Sequence, residues 1–130
     1  VGEDDLISYT LPANALSSDG KAVRVRAWGT AANNANAKTV KLYFGATAIL
    51  TTSLTVSVAD SWWVEGLVIR TGSSTQDTVA RLEETGSNTM DMEVSTAAIT
   101  DTATIVIKLT GEATSNNDIM NEGLLVEMLN

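Results

Sequence analysis

Apolar and polar residues alternate with a period of two along much of the chain, as in β-strands with one buried face. In one segment Val40, Leu42 and Phe44 fall on one face, and polar side chains fall on the other. Nine segments rich in Val, Ile and Thr are predicted as strands: 6–11, 22–30, 39–44, 48–58, 62–71, 78–84, 89–95, 104–110 and 123–129. No window has the 3.6-residue apolar period of a long amphipathic helix.

Turn-forming residues separate these segments. Pro12 ends the first, Asp19-Gly20 precedes the second and Gly45 closes the third. Eight or nine strands at this spacing predict an all-β fold, a jelly-roll-like antiparallel β-sandwich. No Pro- or Ser-rich linker divides the chain, so residues 1–130 are predicted as a single domain, with residues 1–5 as a candidate attachment arm.

The segment 89–95 is expected to follow the usual pattern of a half-buried strand. Met90, Met92 and Val94 share one face, which we predict to point into the core. Asp91 and Glu93 then lie on the solvated face. Their spacing could serve a glycosidase, but a solvated strand face is the preferred interpretation.

The last strand is apolar on both faces. Leu124, Val126 and Met128 share one face, and Leu125 and Leu129 share the other with Glu127. A strand of this kind is buried on both sides, so a partner subunit is expected to cover Leu125 and Leu129; the alternative is a central strand beneath a loop of the same chain. We predict a homo-oligomer whose interface includes Leu125, Leu129, Glu127 and Tyr43.

The dipeptide Trp62-Trp63 is the most conspicuous local feature. Neighbouring strand residues point to opposite faces, so one indole is expected in the core and the other outside. Trp63 shares a face with Glu65, and with Trp28 these residues are candidate ligand or partner contacts, because sugars are held by ring stacking and hydrogen bonds. The alternative is that Trp63 packs at an edge or a subunit contact.

The missing residue types restrict the chemistry available. The chain has no His and no Cys, which excludes a Ser-His-Asp triad, a thiol nucleophile and a zinc-thiolate site. No phosphate-binding loop or calcium loop motif occurs, so we expect no enzyme activity, no cofactor and no metal. The chain begins at Val1 without an initiator Met, and we expect a piece of a longer chain or a processed one.

The net charge and the hydropathy of the chain restrict the classes of partner that we expect it to bind. Eight Lys and Arg against sixteen Asp and Glu give a formal net charge of -8, which disfavours nucleic-acid binding. No apolar run approaches the roughly 20 residues of a membrane helix, so no membrane partner is expected.

Several stretches of the sequence carry a resemblance to a known family: residues 11–16, 19–20, 23–30, 33–45, 63–65, 68–72, Gln76, Ile119 and 122–127. Together they resemble the small β-sandwich virion surface proteins of tailed bacteriophages, which are head decoration, fibre or tail-associated components. The resemblance implies a jelly-roll-like sandwich, commonly trimeric, with no enzyme activity. Leu125 and Leu129 would then face a threefold axis.

Two function hypotheses remain open. The first is a structural virion protein, a capsid decoration or cement protein or a fibre module, acting as a homotrimeric surface knob that contacts other virion proteins. It would be made in the host cytoplasm, which suits a chain without Cys, and located on the virion surface. The alternative is a carbohydrate-binding module or receptor-binding tip, in which Trp28, Trp63 and Tyr43 stack on sugars.

Overall fold

Strands form where β-branched and aromatic residues alternate with polar ones, and they end where turn-forming residues occur. The computed structural model describes residues 2–55, 57–86 and 90–130. Its strands are β1 (Glu3–Leu11), β2 (Ala22–Ala31), β3 (Lys38–Phe44), β4 (Thr47–Leu54), β5 (Asp60–Gly72), β6 (Thr75–Glu84), β7 (Met90–Ala97), β8 (Ile105–Ala113) and β9 (Ile119–Leu129). No helix within the described ranges is long and apolar enough to cross a membrane.

The strands form two antiparallel sheets, in the orders β1-β8-β3-β4 and β7-β6-β5-β2-β9. Strands distant in sequence become neighbours, as in Greek-key sandwiches, because the chain passes repeatedly from one sheet to the other. β2, for example, pairs with both β5 and β9. The predicted all-β antiparallel sandwich is confirmed, and all nine predicted strands are present, with shifted ends.

One apolar core lies between the sheets. Val23, Val25 and Ala27 enter it from β2, and Val40 and Leu42 enter it from β3 on the opposite sheet. These are the inward residues that the period-two pattern predicts. On both sheets the side chains that alternate with the core residues point outward. They form the surface that a ligand or partner can contact.

The fourth predicted strand is shorter than expected. β4 ends at Leu54 rather than at residue 58. Ser57 has a φ of 61°, in the left-handed region, and its amide donates a hydrogen bond to the Asn34 carbonyl (2.7 Å). A β-strand cannot continue through such a residue. Val56, which the prediction included, lies outside the described residues.

The first residues of the chain belong to a strand. Glu3, Asp4 and Asp5 are opposite Glu112, Gly111 and Thr110 of β8 in the register. Residues 3–5 therefore form the start of the edge strand β1, and their attachment role stays a prediction. Val1, at the start of the predicted arm, lies outside the described residues.

The two faces of β7 are exchanged relative to the prediction. Met90, Met92 and Val94 are 60, 68 and 73% exposed, so the apolar side of this strand points to solvent. Asp91 and Glu93 are on the inner side instead. Thr89, the predicted first residue of the strand, lies outside the described residues.

In this orientation the carboxylates of β7 contact β4. The two strands are edges of opposite sheets. Asp91 Oδ2 accepts a hydrogen bond from the Thr52 hydroxyl, and Glu93 Oε2 accepts one from the Thr51 amide (3.3 Å). Inward-pointing charges also protect an edge strand from pairing with another chain. The carboxylates therefore close this side of the sandwich, and the apolar side chains are left outside.

A buried lysine organises one end of the sandwich. Lys38 is 1% exposed, and its ammonium donates to Asn34 Oδ1 (2.8 Å) and to the Asn36 carbonyl (3.1 Å). Asp118 accepts hydrogen bonds from the side-chain amides of Asn34 (2.6 Å) and Asn36 (2.8 Å), and these lower the pKa of its carboxyl. This network joins the β2–β3 and β8–β9 loops.

A second buried cluster fixes the opposite loops. Arg70 Nε donates to Asp101 Oδ2 (2.5 Å), and its guanidinium also pairs with Asp19. Gln76 is fully buried and exchanges two hydrogen bonds with the backbone of Ile99 (2.7 and 3.1 Å). Arg70 and Gln76 carry part of the phage-protein resemblance, and their contacts give them a structural role in this fold.

Candidate functional site

The outer face of the five-stranded sheet is unusually apolar for a solvated surface. Val94, Val79 and Leu67 occupy directly opposed positions on β7, β6 and β5. Outward side chains from three strands form what we call the apolar face: Leu67, Ile69, Val79, Met92 and Val94. A contiguous surface of this kind marks an interaction site more often than scattered single apolar residues do.

An ion-pair network crosses the middle of this outer face. Arg26, Glu65 and Arg81 are opposed in the register of β2, β5 and β6. Arg26 Nε donates to Glu65 Oε2 (2.8 Å), and Arg81 Nη2 lies 3.7 Å from Glu65 Oε1. In the next row Arg24 Nη1 lies 3.7 Å from Glu127 Oε2. These ion pairs compensate most of the charges on the outer face of the five-stranded sheet.

Three of the predicted interface residues lie together on this outer face. Leu125 is 42% exposed, and it projects with Leu129 and Glu127 from β9. Because β9 is the last strand of its sheet, the alternative of a central strand beneath a loop is wrong. Leu129 continues the row of Ile69 through Ala22, whereas Leu125 is separated from the apolar face by Arg26 and Glu65.

Tyr43, the fourth predicted interface residue, lies elsewhere. It projects from β3 on the outer face of the four-stranded sheet, where Lys108 Nζ is 5.3 Å from the centre of its ring. The structure therefore does not bring Tyr43 together with Leu125, Leu129 and Glu127. For the same reason Tyr43 cannot share one sugar-binding platform with Trp28 and Trp63.

The outer face of the four-stranded sheet is polar and ion-paired. Lys41 Nζ donates to Glu3 Oε2 (2.5 Å), and the Thr110 hydroxyl donates to Glu3 Oε1 (2.8 Å). The Lys41 hydrogen bond, followed by that of Thr110, lowers the pKa of Glu3 to about 2. Lys108 Nζ donates to Asp5 Oδ1 (2.7 Å). This face is an ordinary solvated surface, unlike the apolar face opposite.

Trp28 and Trp63 line a cleft at one end of the five-stranded sheet. Trp62 is 1% exposed in the core, whereas Trp63 is half-buried on the outer face, as the sequence predicts. Trp63 lies directly opposite Trp28 of β2. A cleft of about 580 Å³ opens beside them. We call it the tryptophan cleft; its lining includes Trp28, Trp63, Ser61, Glu83, Thr85 and Glu122.

Backbone features of β2 and β9 shape this cleft. The register shifts between Trp28 and Gly29, so that Glu122 is the extra residue of a β-bulge in β9. A β-carbon on Gly29 would overlap the Met120 carbonyl, and one on Gly123 would overlap the Trp28 indole. Bulges re-aim side chains, often next to binding sites. The two glycines allow the bulged strand and the indole to approach closely.

The carboxylate expected to accompany Trp63 is a different one. Glu65 does share the outer face with Trp63, but it pairs with Arg26 and Arg81 and does not line the cleft. Glu83 and Glu122 line it instead. Glu122 could have been suspected from the Glu122-Gly123 pair, since glycine inside a strand pattern often marks a bulge.

The described residues contain no group of three or more Asp and Glu side chains arranged to hold a metal ion. Asp91 and Glu93, the carboxylate pair considered for catalysis, accept hydrogen bonds from β4.

A scan against protein-family models and a search of curated proteins each find no match. The functional interpretation therefore depends on the outer face of the five-stranded sheet.

Proposed function

We propose that this protein is a structural, self-associating β-sandwich that acts as a homotrimeric surface knob on a virion, as the resemblance to phage decoration and fibre proteins implies. The apolar face carries the contact between copies. The observation that supports this most directly is the exposure of Met92 and Val94 beside Leu67 and Val79, on a sheet whose other side is the core.

The size of the face suits a subunit contact. Five strands about 4.8 Å apart, with rows of outward side chains about 7 Å apart, give the whole outer face an area of roughly 800 Å². A standard protein interface buries about the same area on each partner. In a threefold arrangement each neighbour would meet about 400 Å² of this face, and adjoining surface would supply the rest of a standard contact.

The charges also favour a second copy as the occupant. The chain has a net charge of -8, so copies repel one another over most of their surface. On the outer face of the five-stranded sheet, Arg24, Arg26 and Arg81 offset the carboxylates of Glu127, Glu65 and Glu83. Most of the charges on this face are therefore paired within one copy, which limits the repulsion between two copies that pack here.

Sedimentation equilibrium tests the self-association. We expect three times the 13.7 kDa chain mass at about 100 µM, a concentration that populates complexes of micromolar Kd. Val94→Glu should yield monomers. Val106→Glu is the matched control, because Val106 is also an exposed strand residue but lies on the four-stranded sheet. A monomeric wild-type protein overturns the proposal, and a dimer overturns its threefold part.

The virion location needs its own experiment. An antibody raised against this protein should label phage particles in electron micrographs, on the head for a decoration protein or on the tail for a fibre module. Labelling should persist after the particles are purified through a density gradient. Purified particles that never carry the label would remove the virion assignment and leave the self-association result intact.

A further inference from the structure

We infer that the tryptophan cleft binds a neutral saccharide, stacked on the Trp28 and Trp63 indoles and hydrogen-bonded to Glu83 and Glu122. This inference is independent of the self-association proposed above. It uses the end of the five-stranded sheet near the bulge, whereas the apolar face extends over the middle and the other end. The argument concerns the indoles, the polar rim and the charge.

The two indoles are held in place before any ligand arrives. Trp28 lies against Gly123, where a β-carbon would come within 2.5 Å of its Cε2 atom. The Arg81 guanidinium lies 5.2 Å from the centre of the Trp63 ring. Rings fixed by their neighbours lose little conformational freedom on binding. Together they offer a preformed apolar platform with N–H donors, which suits the mixed C–H and hydroxyl surface of a sugar.

The rim of the cleft supplies hydrogen-bonding groups of the required kind. Glu83 and Glu122 carry acceptor oxygens, and Ser61 and Thr85 carry hydroxyls that donate and accept. The volume of about 580 Å³ lies within the 300–1,000 Å³ range of small-molecule sites. Glu122 reaches the cleft because the bulge of β9 breaks the regular alternation at that residue.

The charge selects among saccharides. Glu83 and Glu122 line the cleft, and the whole chain carries a net charge of -8. Arg81 lies 3.4 Å from Glu83 but is already stacked on Trp63. Sialylated, uronic or sulfated sugars would bring a further negative charge into this site. The ligand class is therefore a neutral, hydroxyl-rich saccharide.

The test titrates the wild-type protein with neutral disaccharides (maltose, cellobiose, lactose and chitobiose) and with sialyllactose and digalacturonate. Indole N–H signals in NMR spectra report binding up to about 10 mM, which covers millimolar Kd values. We expect at least one neutral disaccharide to shift the Trp28 and Trp63 signals. Neither anionic sugar should bind as tightly.

The variants decide whether the cleft is responsible. Trp28→Ala and Trp63→Ala should each weaken binding at least ~10-fold, a change equivalent to about 1.4 kcal/mol. Tyr43→Ala, an aromatic replacement on the opposite sheet, should change the Kd less than ~2-fold. Glu122→Gln and Gly123→Ala retain both indoles in the chain and should also weaken binding, which covers the case that a Trp variant fails to fold.

Three results would overturn the inference: no shift with any neutral disaccharide, binding that survives both Trp substitutions, or preferential binding of an anionic sugar. The titration is repeated with the Val94→Glu variant. If the variant still binds the saccharide, the cleft is distinct from the subunit contact. Each proposal can then be tested even when the other one fails.

Discussion

Arg26 and Glu65 stand directly opposite each other on β2 and β5, with Arg26 Nε 2.8 Å from Glu65 Oε2. Arg81 approaches the same carboxylate from the other side. One acid thus serves two guanidinium groups in the middle of a surface that is otherwise largely apolar. In the free chain this network is partly solvated, and its importance would rise when a second copy excludes water.

Glu65→Gln should therefore affect assembly more than folding. The free energy of unfolding of the monomer should fall by only about 0.2–1 kcal/mol, because the pair is partly exposed. The free energy of self-association should weaken by about 2 kcal/mol or more, since two guanidinium groups lose their carboxylate on desolvation. Denaturant unfolding and sedimentation measure the two effects. Glu112→Gln on the four-stranded sheet is the control, and an equal loss of assembly there would contradict the expectation.

The orientation of β7 gives a second prediction. Met92→Ser should change the free energy of unfolding by no more than about 0.5 kcal/mol, because the side chain is already 68% exposed. Leu82→Ala, at a buried position of the neighbouring strand β6, should cost about 2–5 kcal/mol. Urea unfolding of both variants at low protein concentration makes the comparison. A loss of several kcal/mol for Met92→Ser would mean that the side of β7 with the methionines points into the core.

Acid should remove a specific contribution of Glu3. Its pKa is lowered from 4.5 to about 2, chiefly by the Lys41 hydrogen bond, so the folded state holds the proton less tightly than the unfolded state does. The stabilisation is complete above about pH 4.5 and is lost as the pH falls toward 2. Glu3→Gln and Lys41→Met should each flatten this part of the pH profile, and the double variant should flatten it no further. Thermal unfolding from pH 6 to 2 tests this.

Asn34 should be important for the end of the sandwich that contains Lys38. Its side chain accepts a hydrogen bond from the Lys38 ammonium and donates one to Asp118. Asn34→Ala leaves a buried cation short of an acceptor, so the free energy of unfolding should fall by about 1–3 kcal/mol. Asn33→Ala, at an exposed neighbouring position, should cost less than about 0.5 kcal/mol. Equal costs would mean that the network contributes little.

The two glycines at the bulge should respond differently to a β-carbon. Gly29→Ala meets the Met120 backbone and the buried Trp62 ring (2.5 Å), neither of which can move freely, and should cost about 1–3 kcal/mol. Gly123→Ala meets a surface side chain, the Trp28 ring, rather than backbone and core, and should cost less. Denaturant unfolding ranks the two. The Trp28 indole signal should shift in Gly123→Ala, and an unmoved signal would contradict the close approach.

Sequence patterns predicted the strands well because their cause is local. In β3 the alternation puts Val40 and Leu42 on one face, and both are buried; Ile105 and Ile107 of β8 are buried by the same rule. Each of these strands has one mainly apolar face, so only that face can be buried in the core. The positions of Trp62 inside and Trp63 outside followed from the same rule.

The candidate site could be predicted only in part. Trp28, Trp63, Leu125, Leu129 and Glu127 were identified on their own strands, and all lie on the outer face of the five-stranded sheet. Their neighbours across strands could not be found, since Glu83 joins the cleft through the β5–β6 pairing and Glu122 through the bulge. Tyr43 was grouped with them because nothing local shows to which sheet a strand belongs.

By itself, the sequence determined the number and positions of the strands, the buried face of most of them, and the absence of His and Cys chemistry. These depend on side-chain period and residue type, which are properties of each segment. Only the tertiary structure decided which face of β7 is buried. Its own pattern favours the methionines and Val94, but the edge strand β4 offers donors that Asp91 and Glu93 satisfy. In the folded protein these two carboxylates contact a strand distant in sequence, and the apolar side of β7 is exposed.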